Sequence, residues 1–457
     1  MEILGLKAGA KFYFIGIGGI SMSALARCLL ENGFSVEGSD ISENEQVYKL
    51  REHDVKVCIQ PEGNFAAVEA ADAVVYTDAI PLENKELTLA YAQGKKVLSR
   101  AQLLREVAKN FSCVIAVGGS HGKTTCTAMC AHVLNEALAE FCLHVGGEDS
   151  LLGNYCFSGK EYFLTEACEY KKNLLLLPVD VAVLLNVDKD HLECYDGEDD
   201  LRNTFLTFCR RAQSAVVCLD DSVASNVKNA VTFSLYEKSA DYRAAYLRQD
   251  RERYSFTVYE YGVRVCRIRL NAVGRCNVYN ALAAFAVMRT LGFSVEEIKM
   301  GLESFRAVKR RFEEVGKYRG ADLICDYAHH PKEILSTVQT ACGVAKNRLY
   351  VVFQPHTYSR TKNLMGEFVD VLKQIDRLMI YKTYPARERY DEAGDGKTLA
   401  KNVGSCLYAD HPSALRAWLD CTVSEGDTIL FLGAGDIYYL AKFLTQKIDG
   451  SRKPFEG

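Results

Sequence analysis

The chain has 457 residues, enough for about two to four domains. Hydrophobic residues make up 48% and charged residues 25%, so several cores can be buried and a disordered or fibrous chain is excluded. The net charge is −4 and no basic block stands out, which argues against nucleic acid as a partner.

Seventeen cysteines are an odd number and none forms a C-x-x-C pair. The opening MEILGLKAGAKFYFIGIGG lacks the long apolar stretch of a signal peptide and runs straight into a Gly-rich turn. The thiols therefore read as small buried hydrophobes in a reducing compartment. No apolar run reaches the roughly 20 residues that a membrane helix needs. The expectation is a soluble, cytoplasmic protein with no membrane insertion.

In chain order, KFYFIGIG reads as a buried strand, SMSALARCLLENG as a helix stopped at Gly33, and SVEGSD as a second strand. AVVYTDAI and KKVLSR are further strands around a helical ENKELTLAYAQG. A second segment opens at CVIAVGG and continues through EYFLTEA and VAVLLNV. VTFSL, YSFTVYE and VRVCRIRL then alternate in a Tyr-, Val- and Arg-rich texture that suggests a small antiparallel patch, followed by a helix at NVYNALAAFAVMRTLG. A third segment follows Arg310-Arg311-Phe312, with strands in ADLICDYAHHP, RLYVVFQPH, RLMIYKT and TILFLGAGD. Strand–helix alternation throughout predicts an α/β fold with parallel sheets. The last residues, DGSRKPFEG, read as a loose tail.

Two turns carry chemistry. In Gly118-Gly119-Ser120-His121-Gly122-Lys123-Thr124 a strand leads through a Gly-rich turn into a helix. Backbone N–H groups and the helix dipole favour phosphate there, Lys reaches the β/γ-phosphates and Thr binds Mg²⁺. The spacing departs from the usual P-loop, because Val117 stands where its first Gly belongs. The first turn, Gly16-Ile17-Gly18-Gly19-Ile20-Ser21, resembles a dinucleotide fingerprint with Ser21 in place of the last Gly, and Asp40 closes the second strand. It reads as a diphosphate site for NAD or a UDP-sugar. Glu166 and Glu169 in EACEYKK, and Asn186, Asp188, Asp190 and His191 in NVDKDH, read equally as Mg²⁺ ligands or as a solvated acidic loop. DYAHHP and FQPHTYSRT end two strands of the third segment with groups suited to a carboxylate or an amine. A zinc site at His329, His330 and His356 lacks supporting Cys or carboxylate spacing.

Taken in order, GIGGISMSALA, EGSD, GGSHGKTT, EACEY, NVDKDH, NVYNALAA, KRRFE, DYAHHP, FQPHTYSRT and GAGDI resemble the Mur ligases, ATP-dependent amino-acid ligases of peptidoglycan synthesis, over nearly the whole chain. The resemblance implies three α/β domains: a Rossmann-like UDP-sugar domain (1–109), a central P-loop ATP domain (110–309) and a Rossmann-like amino-acid domain (310–457). It places the UDP-sugar at Gly18, Ile20, Ser21, Met22, Asp40, Thr77 and Arg100. It places ATP at Gly119, Ser120, His121, Gly122, Lys123, Thr124, Thr125, Asn277, Asn280, Arg311 and Asp326, and Mg²⁺ at Thr124, Glu166 and His191. Lys123, Glu166 and His191 are the implied catalytic set, and Tyr327, His329 and Arg360 the implied amino-acid contacts. Within the family the motifs suit the member that adds L-alanine to UDP-N-acetylmuramate, as a monomer or weak homodimer; the alternative is the member that attaches a recycled tripeptide to the same sugar. A switch protein that only binds nucleotide would leave DYAHHP and FQPHTYSRT unexplained. The chain departs from the family pattern at Cys168 (Asp), Cys276 (His) and Thr357 (Arg).

Overall fold

The computed structural model describes residues 1–189, 194–250 and 253–445. His191 and Asp190 of the NVDKDH motif, and the expected tail, lie outside them. The chain forms two compact units, one made of residues 1–247, 255–270 and 277–306, the other of 248–254, 271–276 and 307–457.

In the first unit, strands β1 (Lys11–Ile15), β2 (Ser35–Asp40), β3 (Lys56–Ile59), β4 (Ala73–Tyr76) and β5 (Lys96–Ser99) form a sheet of order β3-β2-β1-β4-β5. Every pairing is parallel. The order reverses at β1, so the crevice at its C-terminal end is where such a sheet binds ligands. The first turn and the helix Ile20–Glu31 begin there. The following helices start where the sequence supplies caps: Asn44, Asn64 and Asn84 each accept backbone N–H groups, and Ser99 with Gln102 forms a capping box.

A second sheet contains β6 (Cys113–Gly118), β7 (Phe141–Asp149), β8 (Gly153–Phe157), β9 (Tyr162–Glu166), β10 (Val181–Leu184), β11 (Ser214–Cys218), β12 (Val231–Ser234), β13 (Tyr242–Gln249), β14 (Tyr254–Glu260) and β15 (Val263–Leu270). Its order is β15-β14-β13-β12-β11-β10-β6-β9-β7-β8. The residues expected to form a small antiparallel patch make up the end of this sheet, where the first of them, β12, pairs in parallel with both β11 and β13. The alternating texture reflects strands with one solvated face, a property that a sheet's end shares with an isolated patch. The sequence reading missed the β7–β8 hairpin. Its FCLHVGGED run loses apolar alternation at Gly-Gly-Glu-Asp, where the pairing register also shifts between His144 and Asp149.

The helix Lys123–Glu136 is buried from Thr124 to Leu134, so it shows no polar face. The helix Val295–Ser304 crosses it at Gly301, where an added Cβ would lie 2.4 Å from Val133 Cα. Beside this crossing His132, 1% exposed, bonds Asp149 through Nε2 at 3.1 Å and Ser304 through Nδ1 at 3.1 Å. Three elements are thus tied by one buried imidazole.

In the second unit, β16 (Glu313–Tyr318), β17 (Ala321–Asp326), β18 (Leu349–Phe353), β19 (Leu378–Tyr381), β20 (Leu407–Ala409) and β21 (Thr428–Leu432) are ordered β16-β17-β21-β18-β19-β20. Only the edge strand β16 is antiparallel to its neighbour. Among the described residues no helix is long and apolar enough to cross a membrane.

The Gly301 contact leaves no room for a side chain, and the backbone it meets cannot rotate away. Gly301→Val is expected to destabilise the protein by about 1–3 kcal/mol or more through overpacking. Urea denaturation checks this; an unchanged midpoint would show that the two helices separate without cost.

Candidate functional site

The nucleotide-type turn lies between β6 and the buried helix. Gly119 (φ 134°) and Gly122 (φ 86°) occupy backbone regions that favour glycine. Each is also pressed by a neighbour: a Cβ at 119 would lie 3.0 Å from the Asn186 carbonyl oxygen, and one at 122 would lie 2.4 Å from Asn280 Oδ1. The N–H of Ser120 donates to Asn186 O (3.0 Å), the N–H of His121 donates to Asn186 Oδ1 (2.9 Å), and Asn186 Nδ2 donates back to His121 O (3.0 Å). Two turn amides are therefore committed to Asn186. The amides of the first helical turn, Lys123, Thr124 and Thr125, have no partner within the helix and carry its positive dipole end.

Lys123 Nζ donates to Gly119 O (2.5 Å), Ser120 O (3.1 Å) and Glu169 Oε1 (2.9 Å). Burial alone would lower its pKa; the charge and hydrogen bond of Glu169 outweigh this and hold it above the ordinary value. Thr124 Oγ1 donates to Glu166 Oε1 at 2.9 Å, and the same oxygen accepts the Gly146 N–H at 2.7 Å. His121 Nε2 and Asp188 Oδ2 are 2.9 Å apart, and the Asp188 N–H donates to Ser120 Oγ (2.7 Å). Asn280 Nδ2 donates to Asn277 Oδ1 (3.2 Å), so both expected asparagines lie beneath the turn. Burial, then Glu169, pushes the Cys168 thiol up, so this departure from the family's Asp adds no charge here. Lys171 and Lys172 beyond it are both left-handed (φ 51° and 58°) and are held by Asp78 (2.9 Å) and Asp200 (2.7 Å). Consecutive non-glycine residues in this region are strained and occur where surroundings over-determine them.

At the first turn, the Gly18 N–H donates to Asp40 Oδ2 (2.8 Å), so one Asp40 oxygen braces the turn. Thr77 packs over Gly16, with its Cγ2 2.8 Å from where a Cβ would stand. Ile20 and Ser21 open the helix, and Met22 is buried under it. Arg100 Nη1 donates to Ser21 Oγ (3.3 Å). Ser21 Oγ is also 2.8 Å from Nε2 of His144, whose Nδ1 is 3.0 Å from Thr165 Oγ1. His144 had no motif to mark it, and a lone His in an apolar strand ordinarily reads as core. Burial, reinforced by the Arg100 charge, pushes its pKa down to about 3.

In the second unit, Asp326 ends β17 and accepts the N–H groups of Phe312 (2.7 Å) and Ala328 (2.8 Å). Burial raises its pKa against the pull of Arg311. The guanidiniums of Arg310 and Arg311 lie 4.8 and 5.1 Å from the Tyr327 ring centre. His329 follows, with ring centres 5.4 Å from Tyr327 and 5.8 Å from His356, and His356 stacks on Tyr384 at 5.6 Å. Arg360 Nη1 is 3.4 Å from His356 Nδ1. Thr357, the residue between them that departs from the family's Arg, has φ 66° and ψ 144°. Tyr327, His329 and Arg360 are therefore gathered as expected, with His356 and Tyr384 added. Among the described residues no group of three or more His, Cys, Asp or Glu side chains converges as a metal cage, the His329–His330–His356 set included.

Three family models match the chain in order: the Mur ligase family catalytic domain at residues 11–112, the Mur ligase middle domain at 117–288, and the Mur ligase glutamate ligase domain at 310–435. The chain is 38% identical to a UDP-N-acetylmuramate–L-alanine ligase of Acetivibrio thermocellus, over 98% of this chain and 99% of that one. The chain belongs to the Mur ligase family. The Mur ligase fold is also that of UDP-N-acetylmuramate-alanine ligase MurC from Thermotoga maritima, with a TM-score of 0.84 at 29% identity, covering 97% of this chain and 100% of that one. A murein peptide ligase from Psychrobacter arcticus shares the fold alone, with a TM-score of 0.74 at 23% identity over 95% and 98% of the two chains.

His144 gives this Mur ligase an acid-sensitive joint. In the unfolded chain its imidazole takes a proton near 6.5, and in the fold only near 3. Between these values the unfolded chain binds one more proton, so stability falls as pH drops below about 6.5. The contribution vanishes above that pH. Replacing His144 with Gln is expected to flatten the decline of Tm between pH 7 and pH 5; a decline of unchanged slope would remove His144 as its source.

Proposed function

We propose that this Mur ligase joins L-alanine to the lactyl carboxylate of UDP-N-acetylmuramate with hydrolysis of ATP, in cytoplasmic synthesis of peptidoglycan precursor. The observation that carries this reading is the full-length, 38% identity to the ligase of that name, with all three family domains in order. On this reading residues 1–109 take the UDP-sugar through Gly18, Ile20, Ser21, Met22, Asp40, Thr77 and Arg100. Residues 110–309 take ATP at the Lys123 turn with Asn277 and Asn280, and residues 310–457 take L-alanine at Tyr327, His329 and Arg360. Arg311 and Asp326 complete the nucleotide contacts, and the protein acts as a monomer or weak homodimer.

The sugar's carboxylate attacks the γ-phosphorus of ATP, ADP leaves, and an acyl phosphate forms. The amine of L-alanine then attacks the acyl carbon, phosphate leaves, and the amine loses a proton. Two anions meet in the first step, so fixed positive charge at the phosphate has the largest effect on the barrier. Lys123, kept charged by Glu169, and the amides of Lys123, Thr124 and Thr125 supply it. Thr124 and Glu166 fit Mg²⁺: the hydroxyl and carboxylate are hard oxygen donors 2.9 Å apart at a strand end beside the turn. Bound there, with His191 as a third candidate, Mg²⁺ would neutralise phosphate charge.

Phosphate release from ATP and Mg²⁺ tests the reading. It is expected to require both UDP-N-acetylmuramate and L-alanine. Release with L-Ala-D-Glu-containing tripeptide but not with alanine would replace this reading with the tripeptide-attaching one. Lys123→Ala is expected to lower kcat by about 10²-fold or more, since it removes transition-state charge stabilisation, and to lower Tm as well, since it leaves the buried Glu169 carboxylate unpaired; equal activity in the folded variant would refute the turn's role. Glu166→Gln is expected to raise the Mg²⁺ concentration needed for half-maximal rate; an unchanged titration would remove Glu166 from the metal site.

A further inference from the structure

Strand β7 makes an unusual set of contacts in five residues. Its pairing with β9 runs from Phe141 and ends at His144, which lies opposite Thr165. Its pairing with β8 shifts register between His144 and Asp149. Past His144 the chain reaches other elements instead. The Gly146 N–H donates to Glu166 Oε1 (2.7 Å), and Glu148 accepts from Gln46 Nε2 (3.2 Å) and Lys49 Nζ (2.5 Å) of the helix Glu45–Glu52. Residues 144, 146 and 148 recur at the strand period of two.

His144 is 4% exposed, and both of its ring nitrogens are engaged, one by Thr165 and one by Ser21. A neutral imidazole has one donor and one acceptor, so its capacity is full. Ser21 carries the other end. It stands in the first turn of the helix Ile20–Glu31, and its hydroxyl is held by His144 on one side and by Arg100 on the other. A serine hydroxyl that otherwise turns freely is locked by two elements. Asn154 of β8 adds a second tie to the same turn, donating to Ile20 O at 2.7 Å.

We propose that His144 is a positioning residue for the sugar nucleotide: from β7 it fixes Ser21, and so sets the first turn in register with Glu166, to which the same strand is bonded two residues later. This rests on the ligase reading above, in which the first turn holds UDP-N-acetylmuramate. The imidazole touches no reacting atom. It acts by holding the turn, and small misplacements of a substrate are costly to the rate.

The test is a kinetic and binding comparison of His144→Ala, His144→Gln, Ser21→Ala and the His144→Ala/Ser21→Ala double variant. His144→Ala is expected to lower kcat/KM for UDP-N-acetylmuramate by roughly three- to tenfold, the scale of one buried hydrogen bond. KM for ATP is expected to stay within about twofold, because the Lys123 turn is held by Asn186 and not by His144. His144→Gln, which keeps a donor and an acceptor, is expected to recover most of the loss. The double variant is expected to be no worse than the worse single one, since on this proposal His144 acts on the sugar nucleotide only through Ser21. Equal rises in both KM values, additive losses, or a fall in Tm with kcat/KM unchanged would each overturn the proposal. Calorimetric titration with UDP alone separates it from the ligase reading. A wild-type protein that binds UDP but ligates nothing would refute that reading; an His144→Ala variant with unchanged UDP affinity would refute this one. Should His144→Ala fail to fold, Thr165→Val, which removes the bond to His144 Nδ1 and touches none of the proposed sugar contacts, carries the same expectation.

Discussion

Asn186 takes two amides of the Gly119–Gly122 turn and returns one bond to His121, and the shape of the turn follows from that exchange. With Ser120 and His121 committed, the donors left to an anion at this turn are those of the helix start, where the dipole adds to them. Glycine at 119 is required because Asn186 itself occupies the space of a side chain, and glycine at 122 because Asn280 does. Lys123 completes the turn: its ammonium lies across the turn's own carbonyls and is held charged by a carboxylate that is 3% exposed.

The first unit joins two sheets through β7. A strand whose ladder ends at His144 has backbone and side-chain groups to spare, and these go to Ser21, Glu166 and Glu148's partners in the helix Glu45–Glu52. Register irregularities are common beside functional sites for this reason, since a fully paired strand has no N–H left to offer. The second unit solves a different problem. It gathers cations over an aromatic ring, with Arg310 and Arg311 at Tyr327, and lines up His329, His356 and Tyr384 beyond. Thr357 accepts a backbone conformation costly for a β-branched residue, which keeps His356 and Arg360 at one strand end.

Much of this was legible from residues alone. The two Gly turns, the strands that lead into them and the helices that follow were marked by apolar runs ending in glycine, the strongest local signal a parallel α/β chain carries. Lys123, Thr124 and Glu166 were readable because their spacing from strand ends predicts where a sheet presents its ligands. The β7–β8 hairpin was not, since Gly-Gly-Glu-Asp breaks the alternation on which strand reading depends. Nor did the sequence show that the patch expected over residues 231–270 continues the long sheet, with its first strand paired in parallel: these residues carry the periodicity of half-exposed strands, and periodicity does not say what lies at the sheet's edge.

The sequence by itself determined the α/β class, the two Gly-rich turns, the lysine and threonine of the second, and the family, because each depends on residues close in the chain or on motifs in fixed order. Only the tertiary structure decided the partners of Asn186, His144, His356 and Tyr384, and the bracing of the first turn by Asp40. These depend on contacts between elements far apart in sequence. A lone histidine or asparagine looks the same in a sequence whether it packs in a core or holds a turn, and only its partners distinguish the two.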